Sequence, residues 1–213
     1  VRNPINSRSP NYTFHSDEAG TINYGGSCIG EFPSGHANAG QRKENAAADN
    51  NTITLQRTNG SVLADGTTYS DCKISVTDNA SNTSDNLTVN TFTVDVTTPS
   101  LSPVTGGRVP TPTSDNTSDY TFSSDEIGTI TYGGACGSSS SSSAIFGENT
   151  VTLTQPDNST ALIDGTYDNC TIAVTDNNSN TSDNLSVRGL DKFGNITDNF
   201  TIGATEPVLV QIT

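Results

Sequence analysis

The chain is 213 residues long, carries a formal net charge of −14, and is only 31% hydrophobic, with neither Met nor Trp. That charge argues against nucleic acid and anionic membrane surfaces as partners, since both would repel it. Nothing approaches the ~20 consecutive apolar residues of a membrane-spanning helix, and so little apolar material excludes a thick core, leaving room for one large or two small, thin domains.

The apolar residues are not scattered as in a disordered chain. They fall in short alternating runs rich in Thr, Val, Ile and Tyr, separated by Asn/Asp/Gly/Ser clusters, which predicts an all-β sandwich. The chain opens on Val with no signal peptide, as expected of a mature protein or of a window of a longer one. The first half reads as strands at "NYTFH" (11–15), "GTINYGG" (20–26), "NTITL" (51–55), "CKISVTD" (72–78), "NLTV" (86–89) and "TFTV" (91–94). The Ala-rich stretch 39–50 lacks the apolar stripe of a packed helix. The second half reads as "LSPVT" (101–105), "DYTFS" (119–123), "GTITYGG" (128–134), "NTVTLT" (149–154), "CTIAVTD" (170–176), "NLSVRG" (184–189) and "NFTIG" (199–203).

These two lists are one list written twice. Residues 11–28 return at 119–136, displaced by 108, and residues 69–89 return at 167–187, displaced by 98. The lengths differ in a middle loop, where 29–50 faces the serine-rich 137–148, and in an extra segment at 188–199 that restores the displacement of 108. The middle segments are loop tips that tolerate insertion; "GSSSSSS" (137–143) in particular reads as a flexible low-complexity loop. Seven strands in about 100 residues is the size of an immunoglobulin-like sandwich. "DGTTYSDC" and "DGTYDNC" suit the corner before strand F, where Tyr69 and Tyr167 can return a hydroxyl to the upstream backbone. The expected organisation is repeat 1 over 1–97, repeat 2 over 98–205, and a C-terminal strand over 206–213.

"YTFSSDEIGTITYGGAC", "DGTYDNCTIAVTD" and the linker-like "VDVTTPS" resemble the tandem bacterial immunoglobulin-like repeats of extracellular adhesins and surface fibres. The resemblance covers nearly the whole chain and implies two tandem immunoglobulin-like domains with a structural or adhesive role. In such a sandwich strands C and F are antiparallel neighbours. Cys28 and Cys136 are expected to close strand C, and Cys72 and Cys170 to open strand F, so the expected disulfides are Cys28–Cys72 and Cys136–Cys170. A four-Cys metal site is excluded, because no CxxC exists and the pairs lie in separate repeats. Disulfides imply an extracellular, oxidising setting.

The resemblance also makes calcium the candidate ligand, through Asp78, Asp176 and Asp191 in Asp-rich turns and Asp95 at the domain junction. The plainer reading is that these residues make hairpin turns; Gly203 replaces Asp95 in the second repeat, and no run fits an EF-hand. No other cofactor is indicated. Catalysis is not expected: His15 is Ser123 in the other repeat, His36 sits in the variable loop, and no serine has a base beside it. Asn86, Asn116, Asn158 and Asn184 begin glycosylation triplets of the kind this composition produces by itself.

The phase of the repeat carries the functional expectation. Val1 aligns with Val109, so the first repeat starts after its own first strand, whereas Val208, Leu209, Val210, Gln211, Ile212 and Thr213 align with the first strand of the second repeat, 100–105. The chain is therefore expected to be a non-enzymatic subunit of a bacterial surface filament or adhesin stalk. Identical subunits would join head to tail, the C-terminal strand completing repeat 1 of the next copy. The alternatives are a window of a long covalent array, or a carbohydrate- or receptor-binding adhesin module that uses loops 29–50 and 137–148 on a glycan or host surface.

Overall fold

A computed structural model of the protein describes residues 3–31, 44–140 and 142–203. All regular structure among them is β, and the chain divides into two compact units, residues 1–97 and 98–213.

Unit 1 contains β1 (Asn11–His15), β2 (Gly20–Gly25), β3 (Cys28–Gly30), β4 (Glu44–Ala46), β5 (Asn50–Arg57), β6 (Thr68–Tyr69), β7 (Lys73–Asp78), β8 (Leu87–Thr88) and β9 (Phe92–Thr93). Unit 2 begins with β10 (Leu101–Pro103) and β11 (Val109–Pro110), and continues with β12 (Asp119–Ser124), β13 (Gly128–Gly133), β14 (Gly137–Ser138), β15 (Ser143–Ala144) and β16 (Gly147–Thr154). It ends with β17 (Gly165–Tyr167), β18 (Thr171–Thr175), β19 (Leu185–Ser186), β20 (Gly189–Leu190), β21 (Ile196–Thr197) and β22 (Phe200–Ile202).

Two of the sheets recur in both units, the first with an added strand, β10, in unit 2, and unit 2 also has a β11-β20-β21 sheet without a counterpart among the described residues of unit 1. One sheet has the order β1-β5-β3 in unit 1 and β10-β12-β16-β14 in unit 2; the other runs β4-β2-β7-β8 and β15-β13-β18-β19. Alternation explains which side chains turn inward. Phe14, Ile53 and Leu55 from the first sheet meet Ile22 and Ile74 from the second in one buried cluster, and Phe122, Val151 and Leu153 meet Ile130, Ile172 and Val174 in the other. Each core thus lies between two sheets, as in a sandwich, with Tyr69 and Phe92 of the β6-β9 pair added in unit 1 and Tyr167 and Phe200 of the β17-β22 pair in unit 2. On the outward faces Thr hydroxyls pair across strands, Thr13 with Thr52 at 2.9 Å and Thr121 with Thr150 at 2.9 Å, which accounts for the threonine-rich composition.

Two expectations are corrected. Cys28 and Cys136 do not close the preceding strand. The chain first turns at Gly26 (φ 81°) and Gly134 (φ 73°), so Cys28 opens β3 and Cys136 stands just ahead of β14. A Cβ on either glycine would strike the backbone carbonyl of Asp71 or Asn169, so the turn needs glycine. The serine run is not a plain loop either. Ser138 is buried, its hydroxyl donates to the Thr152 carbonyl at 2.7 Å, and its N–H donates to Asn158 Oδ1 at 3.1 Å.

Candidate functional site

The corners of both units are tied in the same way. Cys28 is bonded to Cys72 and Cys136 to Cys170, with Cα separations of 5.1 and 5.2 Å. The Tyr69 hydroxyl accepts the Ala64 N–H at 2.8 Å; the Tyr167 hydroxyl accepts the Ile163 N–H at 3.0 Å and donates to the Ile163 carbonyl at 2.9 Å. Tyr69 stacks on Phe92 at 5.4 Å and Tyr167 on Phe200 at 5.0 Å.

The units differ at one edge. In unit 2, β12 lies between two strands: β16 on one side and β10 on the other, with Leu101 opposite Ser124, Ser102 opposite Ser123 and Pro103 opposite Phe122. A two-way clasp secures the start of β10. The Ser100 N–H donates to Asp125 Oδ1 at 2.6 Å, and the Asp125 N–H donates to the Ser100 carbonyl at 3.2 Å. Residues 98–101 then lie along Asp183, Asn184 and Leu185, Pro99 is buried, and Leu101 packs against the core.

In unit 1, β1 pairs with β5 alone among the described residues. What β10 covers in unit 2 lies open here. Ser124 (1% exposed), Val174 (0%) and Ser182 (8%) are buried, while Ser16 and Val76 are half-buried and Ser84 is exposed. The same hydrogen bond, from the Val N–H to the Ser hydroxyl at 3.0 Å, is therefore buried between Val174 and Ser182 but exposed between Val76 and Ser84. Leu87, the counterpart of Leu185, is 43% exposed. A trough of about 210 Å³ runs between Ser16, Asp17, Glu18, Val76, Asn82 and Ser84. Its floor is apolar at Val76, and it adjoins the end of β1, whose outer edge has no partner strand among the described residues, the arrangement that accepts an added strand.

The aspartates singled out for calcium are held by asparagine. In Asp78–Asn82, Asp176–Asn180 and Asp191–Asn195, the Asn backbone N–H donates to Asp Oδ1 and the Asn side-chain amide donates to Asp Oδ2, at 2.8–2.9 Å. The Asn82 amide, with its backbone N–H, holds the Asp78 carboxyl below the usual range, and Asn195 does the same to Asp191. These are self-closed turns at three places, and Asp95 lies elsewhere, its carboxylate accepting the Thr97 N–H at 3.3 Å. No group of three or more His, Cys, Asp or Glu able to hold a metal occurs among the described residues. His15 is exposed opposite Asn50. His36 and Val208–Thr213 lie outside the described residues.

Two features escaped the sequence reading. Asp65 accepts the Val96 N–H at 2.9 Å, the Thr97 hydroxyl at 2.9 Å and the Gly66 N–H at 3.0 Å; chiefly through Val96 these keep its carboxyl below the ordinary range. It fixes the last residues of unit 1. The second is a cleft of about 670 Å³ in unit 2, between Tyr132, Gly133, Gly134, Pro156 and the Ser138–Ser140 backbone. Burial pushes the Tyr132 phenol above its usual range there.

No helix among the described residues is long and apolar enough to cross a membrane, and two disulfides point to an oxidising location, extracellular or periplasmic. In comparison with known proteins, no family model and no curated protein matches the chain.

Proposed function

We propose that the protein is a non-enzymatic structural subunit of an extracellular bacterial surface filament or adhesin stalk. Two immunoglobulin-like sandwiches follow one another along the chain, and copies join head to tail when the C-terminal segment Val208–Thr213 of one adds a strand to unit 1 of the next. The observation that carries this reading is that β1 pairs with β5 alone among the described residues, whereas its counterpart β12 has a strand on each side. The mechanism is mechanical. Disulfides keep each sandwich closed, and a ladder of backbone hydrogen bonds transmits load across each joint. Head-to-tail exchange is heterologous and does not close on itself, so its product is a fibre. The aspartates of the Asp-rich turns each accept two hydrogen bonds from their Asn, so this reading does not call on an ion there.

The test is assembly. The purified chain is expected to give concentration-dependent polymers in sedimentation velocity and filaments in negative stain, and deletion of 206–213 should leave monomers. A deleted chain that still polymerises overturns strand exchange. In a long covalent array, by contrast, the preceding repeat would supply the strand by peptide continuation, and the isolated chain would stay monomeric. A second reading, a carbohydrate-binding adhesin module, draws on the serine-rich cleft beside Tyr132, and a glycan array with the intact chain tests it.

A further inference from the structure

Resting on the strand-addition reading above, we infer which face of the donor enters unit 1, in which register, and by which anchors. The occupied edge of unit 2 supplies the template, because the displacement of 108 maps each of its residues onto a counterpart in the open edge.

Residue sums along the β10–β12 ladder are constant, and the Ser100–Asp125 and Val104–Thr121 backbone bonds show that 100, 102 and 104 point their N–H and C=O groups at β12. Leu101, between them, turns its side chain to the core, while Ser100 and Ser102 face solvent. Transferred to unit 1 of a second copy, Val208 meets Asp17, Val210 meets His15 and Ile212 meets Thr13. The Val208 N–H donates to the Asp17 carboxylate and the Asp17 N–H to the Val208 carbonyl. Among the described residues that carboxylate accepts no hydrogen bond in the separate chain, whereas Asp125 already holds Ser100. Pro207 takes the place of buried Pro99 and Leu209 that of Leu101, alongside Asp85, Asn86 and Leu87, the counterparts of the Asp183, Asn184 and Leu185 that residues 98–101 lie along.

This register is not the one that alternation alone would choose. In "VLVQIT" the apolar residues Val208, Val210 and Ile212 share one face, and Leu209 and Gln211 share the other. A one-residue slip would turn the Val/Val/Ile face inward, exchanging every side chain between core and solvent. The template decides for Pro207 and Leu209, because their counterparts at the displacement of 108 are the residues that unit 2 turns inward, Pro99 buried and Leu101 packed against the core.

Four full-length variants separate the possibilities by sedimentation velocity. Leu209→Asp in the donor and Leu87→Asp in the acceptor should each weaken assembly about 10- to 100-fold, the equivalent of losing one buried leucine contact. Val210→Asp should assemble nearly as the parent does, its side chain standing where exposed Ser102 stands. Asp17→Ala should weaken assembly about tenfold, as expected for a lost charge-assisted hydrogen bond. A mixture of the Leu209→Asp and Leu87→Asp chains should give a one-to-one complex and nothing longer, since only one productive joint can form; that complex also shows that both variants fold. If Val210→Asp abolishes assembly and Leu209→Asp does not, the register is wrong while strand addition stands. If none of the four changes assembly but deletion of 206–213 does, the trough is not the acceptor. If the deletion too is without effect, the underlying reading fails with it.

Discussion

Replacing each corner tyrosine by phenylalanine isolates a hydroxyl without disturbing its ring, which keeps its stacking partner at 5.4 Å (Phe92) or 5.0 Å (Phe200). Tyr69 makes one hydrogen bond through its hydroxyl, to the Ala64 N–H, whereas Tyr167 makes two, to the N–H and carbonyl of Ile163. At about 1 kcal/mol net per bond, Tyr69→Phe should destabilise unit 1 by about 1 kcal/mol and Tyr167→Phe should destabilise unit 2 by about 2 kcal/mol. For domains of roughly this size 1 kcal/mol corresponds to about 4–8 °C in melting temperature. Calorimetry of the intact chain should show each variant lowering one transition only, with the unit 2 shift about twice the unit 1 shift. Urea titrations should give the same ordering through midpoints at unchanged slope. Equal shifts, or a Tyr167→Phe chain as stable as the parent, would refute the assignment of the corner's stability to these hydroxyls.

Reduction of both disulfides should destabilise each unit by about 4 kcal/mol on the chain-entropy estimate for bridges spanning 44 and 34 residues, read as a lower urea midpoint in dithiothreitol; an unchanged midpoint removes them from the account of stability. The Asp157 carboxyl is held down to about 2, first by the Thr160 hydroxyl and then by the N–H groups of Thr160 and Ser159. Because its folded value lies below its unfolded one, its contribution is complete above pH 3.8 and is lost as pH falls through about 2. Melting curves of Asp157→Asn should therefore depend less on pH in that window and meet the parent's at its lower end, and parallel curves would contradict this. Since Asn82, Asn180 and Asn195 occupy both oxygens of their aspartates, millimolar Ca²⁺ should leave the melting temperature unchanged. A rise of several degrees reversed by EDTA would restore those aspartates as ligands.

The features legible in the sequence are those written in local chemistry. Alternation marks β12 and β16 without ambiguity, since each is long enough to present three buried positions on one face, and Tyr69 and Tyr167 announce their corner by the Asp-Gly turn before them. Short strands such as β14 and β15 carry too few residues to alternate, and low complexity hides the buried hydrogen bond that Ser138 makes. Asp65 was missed for a different reason: its partners, Val96 and Thr97, lie 31 and 32 residues away, and no spacing rule connects them.

The trough is the instructive case. Ser16 and Ser124, Val76 and Val174, and Ser84 and Ser182 are identical pairs in near-identical surroundings, so no property of these residues distinguishes a closed edge from an open one. Their exposure differs because a strand from elsewhere in the chain lies over one set and not, among the described residues, over the other. Repeat phase supplies the missing half of the argument, since it names the stretch of sequence whose counterpart does the covering. Taken alone, the phase cannot show that an edge is open, and the open edge cannot say what closes it. Together they narrow the question to one strand, one face and one register, which is the form in which four substitutions can decide it.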